Sequence, residues 1–355
     1  PNKQIEIMIE SFKIENYRLF RDLEIKSLKR VNLIIGKNNS GKSTFLEAVR
    51  LYCAKSLSKY VLKTLSDIMY ERGEIARDIE LNYNNYWNRI KYLFTDLNHA
   101  KKISLYSGES QGLGMKIGLS SELQENTISI DGTSDDFFGE VDYHFQKLSR
   151  KSIEETSFTM PAFYSYITYK GDISQKIQNL AIEWGKSIAL RSKKEKYVLE
   201  CLQMIDSRIS GFTFRDNDIG QKQAIVAIEG VDEPLPINNL GDGITHALII
   251  IINFLKQESQ TVLIDEFENG IHWSAQKDIW KIIFKLSKEM NQQVFCTTHS
   301  RDTLEAMQQA SSEMDMESEA RIIKLKYSQK EQDIQAVELD IEKVKSVLEQ
   351  DLEIR

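Results

Sequence analysis

"VNLIIGKNNSGKSTFLEAV", residues 31–49, runs from a largely apolar segment through a glycine-bounded loop into a helical pattern. Gly36 and Gly41 stand five positions apart and are followed by Lys42 and Ser43, the spacing of a P-loop, in the strand–loop–helix setting that gives the pattern meaning. The glycines let the backbone curl so that successive N–H groups turn inward on phosphate oxygens. Gly36, Lys37, Asn38, Asn39, Ser40, Gly41, Lys42, Ser43 and Thr44 are therefore the expected ATP contacts. Lys42 would reach the β- and γ-phosphates, and the Ser43 hydroxyl would ligate Mg2+. The fold class expected from this junction is α/β.

A P-loop Mg2+ needs a second protein anchor, and "TVLIDEFENGIHW", 261–273, supplies one. An apolar strand there runs straight into Asp265, Glu266 and Glu268, and buried acids are costly unless a positive partner sits beside them. Asp265 is placed to hold the metal and Glu266 to take a proton from the attacking water. Glu268, Gly270 and His272 follow, in the stretch expected to meet a second copy of the chain.

Two further motifs fall in order around this strand. "NLGDG", 239–243, opens a helix about twenty residues before Asp265. A glycine-rich helix N-terminus is an anion site, and Lys42 already claims this chain's own ATP. Leu240, Gly241, Asp242 and Gly243 would then face the nucleotide of another subunit. "QVFCTTHS", 293–300, ends a second apolar strand at His299, which is placed to sense the γ-phosphate.

Composition narrows the class. With 41% apolar and 28% charged residues and four prolines, the 355-residue chain is globular in make-up. Its 46 basic residues against 53 acidic ones exclude a uniformly basic nucleic-acid coat. Cys53, Cys201 and Cys296 are too few and too scattered for a disulfide framework or a cysteine zinc site. The N-terminus lacks an apolar signal core, and the greasy run 247–255 is too short to span a bilayer. A cytoplasmic protein without a membrane segment is the expectation.

Along the chain, alternation before residue 31 predicts two strands around a turn near Asn16, and the helix after the P-loop is expected from Thr44 to about residue 58. Residues 60–150 change character, with a tyrosine-rich helical stretch at 81–94, a glycine-containing hairpin pattern at 104–120 and a loop at 131–140. A long amphipathic helix is expected over 172–209, carrying the basic run 191–196 as a solvated face or as a contact to nucleic acid or a partner. The head is assigned to 1–58 and 200–320, a mixed helical and β insertion to 59–199, and a strand–strand–helix completing the head to 321–355.

P-loop, signature-like glycine turn, Asp-Glu strand and terminal histidine, in this order, resemble an ABC-type ATPase head with a mixed β-sheet core. The stretches "KIENYRLFRDLEIKSLKR", "LGDGITHAL", "DEFENGIHWSAQKDIW" and "TTHS" resemble the OLD-like ATPases of prokaryotic defence systems. That resemblance implies dimeric or higher homo-oligomeric heads that bind ATP and Mg2+ and serve bacteriophage defence with a separate effector, a Toprim or HNH nuclease or a toxin. It also implies that Arg18 contacts the base. Two departures stand out: Gly241 replaces the serine of transporter-type signatures, and only about 35 residues follow residue 320, with no room for a Toprim domain. The chain is thus expected to be a slow ATPase without nuclease activity of its own. A RecF-like repair ATPase and a nucleotide-gated scaffold with very slow turnover remain as alternatives, and a nucleic-acid contact stays open.

Overall fold

A hairpin of β1 (Phe12–Tyr17) and β2 (Phe20–Ile25) starts the fold, paired from Phe12↔Ile25 to Tyr17↔Phe20. Alternation puts Phe12, Ile14, Leu23 and Ile25 on its buried face. Asn16 and Arg18, at φ 56° and 50°, flank the tight turn. β3 (Val31–Ile35) is buried along its whole length, as a strand covered on both faces must be. It leads into α1 (Lys42–Cys53), which ends about five residues earlier than the sequence pattern suggests, and then α2 (Ser58–Glu71), which packs on α1. The computed structural model describes residues 8–55, 58–74, 89–108, 113–122, 125–132, 141–144, 164–169, 173–256 and 260–344.

β4 (Ile103–Ser107), β5 (Leu113–Glu122), β6 (Glu125–Gly132) and β7 (Val141–His144) follow as an antiparallel meander. β4 pairs with β1, which makes one six-stranded sheet in the order β2-β1-β4-β5-β6-β7. β8 (Tyr164–Thr168) joins a different sheet. The stretch expected as an insertion over 59–199 contributes strands to both large sheets, β4 beside β1 and β8 in the second. Of the tyrosine-rich stretch, residues 81–88 lie outside the described residues, as do 133–140 of the expected loop; 91–93 form a single 3-10 turn.

The single helix expected over 172–209 is two: α3 (Ile173–Glu183) and α4 (Ser192–Gln203). A π turn at 184–188 and Leu190, at φ 62° and 97% exposed, interrupt it. The basic run is partly used internally, since Lys194 Nζ caps α5 (Asp242–Leu255) by donating to the Leu255 carbonyl at 2.7 Å. A small antiparallel sheet, β9 (Ile209–Asp216), β10 (Lys222–Ile228) and β11 (Leu235–Pro236), precedes α5. Among the described residues no helix is long and apolar enough to cross a membrane.

The last elements are β12 (Thr261–Asp265), α6 (Trp273–Glu289), β13 (Gln293–Thr298), α7 (Arg301–Glu313), β14 (Ala320–Ser328) and β15 (Asp333–Asp340). They complete a sheet in the order β15-β14-β3-β13-β12-β8, parallel except for β15 at its edge. Alternate residues feed two separate cores: Leu33, Val262, Ile264 and Cys296 on one face, Ile34, Leu263 and Phe295 on the other. The first core is closed by α5 and α6, the second by α1, α2 and the antiparallel sheet. With both faces covered, the loops at the carboxyl ends of β3, β8, β12 and β13 are where a ligand can be met.

Candidate nucleotide site

Those carboxyl ends lie side by side, because Thr298 pairs with Ile35, Ile264 with Cys296 and Asp265 with Thr168. The loop after β3 closes at Gly41, φ 92°, where an added Cβ would fall 2.8 Å from the Phe20 ring. Lys42 Nζ donates to the carbonyls of Gly36 and Lys37 at 2.8 and 3.0 Å. Burial lowers the pKa of this ammonium, against the opposing pull of Glu268, Asp265 and Glu266. The P-loop cation and the three acids thus share one site.

Asp265 is only 3% exposed, and its carboxylate is satisfied by three hydroxyls from three elements. Ser43 Oγ and Thr297 Oγ1 donate to Oδ1 at 3.1 and 2.6 Å, and the Tyr166 hydroxyl donates to Oδ2 at 3.2 Å. The Ser43 bond ties the first turn of α1 to the tip of β12 across 222 residues of sequence. The donor set, one hydroxyl and one carboxylate, consists of hard oxygens, and Mg2+ takes few protein ligands and shares the rest with phosphate and water. Among the described residues no cluster of three or more His, Cys, Asp or Glu side chains forms an alternative metal site. Ser43 and Asp265 fit Mg2+.

Glu266 sits at φ 53°, a left-handed backbone that a residue with a Cβ adopts at a cost. Its N–H donates to Thr297 Oγ1 at 2.8 Å and its Oε2 accepts from Asn269 Nδ2 at 2.6 Å, which together fix the carboxylate. Thr297, fully buried, therefore serves both acids at once. His299 is held by Glu268: Oε1 accepts from the His299 N–H at 2.9 Å and lies 2.7 Å from Nδ1. Glu268, expected in a loop facing a partner, is turned inward to position the histidine, and its side chain is 11% exposed. His272 is exposed and caps α6, with Nδ1 2.9 Å from Ser274 Oγ.

The signature-like turn makes its contacts elsewhere. Leu240 ends a 3-10 turn, Gly241 precedes α5, no side chain caps that helix, and Asp242 lies exposed in its first turn. A Cβ on Gly243 would approach that of Ala275 on α6 to 3.2 Å, so this glycine sets how closely α5 and α6 pack. Gly270, φ 73°, leaves no room for a side chain, since an added Cβ would fall 2.1 Å from His246 Cε1. The His246 ring lies 4.4 Å from that of Tyr169. The helix that begins at the turn is thereby locked to the loop that carries Glu266 and Glu268.

A cavity of about 640 Å3 opens beside the P-loop, lined by Lys37, Asn38, Asn39 and Ser40 together with Leu19 and Tyr327. Arg18 also borders it, but the guanidinium expected at the base is engaged behind the wall, with Nη1 2.9 Å from Glu74 and Nε 3.1 Å from Glu47. Tyr166, Thr297 and Asn269 escaped the sequence reading. The two strand residues have the look of ordinary β-formers, whereas Asn269, inside "DEFENG", carried a signal in its place three residues after Glu266.

Over residues 31–305 the chain matches the family described as "AAA domain, putative AbiEii toxin, Type IV TA system". It is 24% identical over 350 residues to an "ATP/GTP phosphatase" of Helicobacter pylori, covering 90% of this chain and 92% of that protein. It is 44% identical over 46 residues to the DNA replication and repair protein RecF of Rickettsia massiliae, 13% of either chain. Among solved structures it is similar to an Smc head bound to the C-winged helix domain of ScpA, with a TM-score of 0.52 at 15% identity, covering 96% of this chain and 100% of that one. The fold is that of an ABC-type P-loop ATPase head, α/β with a mixed central sheet.

Proposed function

Because the chain belongs to the AAA-domain family that it matches over residues 31–305, we propose that it is an ATPase, binding Mg-ATP between the P-loop and the Asp265–Glu266 tip and hydrolysing it. The observation that carries this is the Ser43–Asp265 hydrogen bond at 3.1 Å, with Lys42 and Glu266 beside it. Bound there, Mg2+ would neutralise charge on the β- and γ-phosphates. Lys42 would leave the Gly36 and Lys37 carbonyls for phosphate oxygens, and the P-loop N–H groups would hold the rest of the chain of phosphates. Glu266, fixed by Asn269, takes the proton of the attacking water while the γ-phosphoryl group passes to its oxygen and ADP leaves. His299, steadied by Glu268, donates to the γ-phosphate. The cavity beside Asn38 and Asn39 takes the base and ribose.

The wider reading is a cytoplasmic homodimer, or a higher homo-oligomer, in which Leu240, Gly241, Asp242 and Gly243 meet the ATP of the partner and Gly270 and His272 lie along the shared face. Closure of the two heads then gates a separate effector, a nuclease or toxin, in bacteriophage defence. The family's description, which names a toxin–antitoxin system, supports that setting, and the ScpA-bound Smc head supports partner binding by such a head. The similarity to RecF favours a second reading, a DNA repair ATPase.

Steady-state hydrolysis tests the core of this. Lys42→Ala should abolish nucleotide binding, and Glu266→Gln should bind ATP normally while hydrolysis falls on the order of 100-fold. A Glu266→Gln variant that turns over at the wild-type rate would overturn the assignment of the base. Stimulation by DNA would favour the repair reading. Metal-dependent DNA or RNA cleavage that survives Lys42→Ala would sink the claim that the effector is separate.

A further inference from the structure

Behind the P-loop helix lies a set of ion pairs, each with at least one buried partner, that phosphate chemistry alone does not require. Arg50 of α1, 3% exposed, holds Glu71 at the end of α2 through both nitrogens, at 2.5 and 2.9 Å. The same guanidinium lies 4.2 Å from the centre of the Tyr166 ring, and Tyr166 donates its hydroxyl to Asp265 Oδ2. One residue past Glu71, Arg72 places Nε 2.5 Å from Glu47 and donates Nη2 to Thr44 Oγ1 at 3.1 Å. Glu74 takes Arg18, whose Nε also faces Glu47. Three residues at the end of α2 and just past it, Glu71, Arg72 and Glu74, thus reach the first turn of α1 directly and the metal-side carboxylate through two intermediaries.

Stability does not explain this construction, since exposed ion pairs contribute little and buried ones are often no better than apolar packing of the same volume. What they fix is geometry. Asp265 Oδ1 is turned to Ser43 and Thr297, and Tyr166 is the donor that holds Oδ2. Without it only the two bonds at Oδ1 restrain the carboxylate about a torsion that has no sharp minimum of its own.

We propose that residues Glu71–Glu74 are a positioning clamp on the nucleotide site, with Arg72 holding Thr44 and Arg50 and Tyr166 orienting Asp265, so that displacement of the end of α2 changes how firmly metal and nucleotide are kept. The inference rests on the reading of Ser43 and Asp265 as the Mg2+ ligands. Tyr166 and Arg72 are positioning residues in it and touch no reacting atom. A partner that moves α2 can set the metal site without approaching ATP.

The test is equilibrium binding of Mn2+, followed by electron paramagnetic resonance, to the full chain with saturating ADP. Tyr166→Phe keeps the ring over Arg50 and removes the hydroxyl. It should weaken Mn2+ binding about tenfold, as loss of a ligand's outer partner does, while ADP affinity in chelator stays within about twofold. Glu71→Gln, at a partly exposed position that tolerates the change, should weaken Mn2+ in the same direction and add little on the Tyr166→Phe background. Arg72→Lys should restore ADP affinity lost in Arg72→Ala. Unchanged Mn2+ affinity in Tyr166→Phe, or fully additive effects of the two changes, would overturn the clamp. Wild-type protein that binds no Mn2+ with ADP would overturn the metal site itself and the clamp with it.

Discussion

Replacing Asp265 by Asn separates what this residue does for the fold from what it does for the metal. Its carboxylate accepts from Thr297 at 2.6 Å, Ser43 at 3.1 Å and Tyr166 at 3.2 Å, and it is 3% exposed. With the amide oxygen in the place of Oδ1, the Ser43 and Thr297 bonds survive. The amide NH2 then faces the Tyr166 oxygen, which can accept, while the Tyr166 O–H loses the acceptor it had in Oδ2. Three charge-assisted bonds become neutral ones, a loss of roughly 1 kcal/mol each, offset by several kcal/mol of relieved burial of charge. Net stability without ligand should move by about 1 kcal/mol or less. Asp265→Ala, by contrast, strands three hydroxyls and should cost about 3 kcal/mol.

The ligand-linked part behaves differently. At a Mg-ADP concentration of about 100 times the dissociation constant, binding adds about 2.7 kcal/mol to the wild type; a 100-fold weaker site leaves about 0.4 kcal/mol. Urea denaturation with and without Mg-ADP reads both quantities on one protein. If Asp265→Asn kept the full Mg2+-dependent gain, or lost several kcal/mol without ligand, the three-hydroxyl account of this carboxylate would be wrong.

Two other expectations concern the scaffold. Gly241 and Gly270 share a left-handed φ, 100° and 73°, but a Cβ on Gly241 meets open space while one on Gly270 strikes His246. Gly241→Ala should cost about 1–2 kcal/mol and Gly270→Ala about 3 kcal/mol or more, and equal losses in denaturation midpoints would refute the His246 lock. Burial pushes the Cys201 thiol up to about 12 and raises those of Cys53 and Cys296. All three should resist iodoacetamide at pH 8 in native protein and react only after unfolding, and native labelling of Cys296 would contradict the packing of β13.

The P-loop and the acids after β12 were legible because each rests on short spacing inside one strand–turn–helix unit. The path of residues 59–199 was not, because β4 reaches back to β1 and β8 reaches forward to β12, and no local period encodes a partner that far away. The break near Leu190 was hidden as well, since no proline marks it and the residue sits at positive φ without being glycine or asparagine. Arg18 shows the same limit: the resemblance sets this arginine of the hairpin turn at the base, and nothing local reveals that Glu74, 56 residues on, is folded against it. Tyr166 and Thr297 carry hydroxyls whose use depends on the neighbouring strand, not on their own.

The left-handed backbone at Glu266 places a side chain where the chain would favour glycine, and of order 1 kcal/mol is held in that torsion. Selection for heat resistance alone would therefore drift toward Glu266→Gly, relaxing the turn while deleting the carboxylate that Asn269 presents. One route to a hardier molecule would then pass through the proposed catalytic acid, so any campaign to toughen this head must weigh turnover at every round.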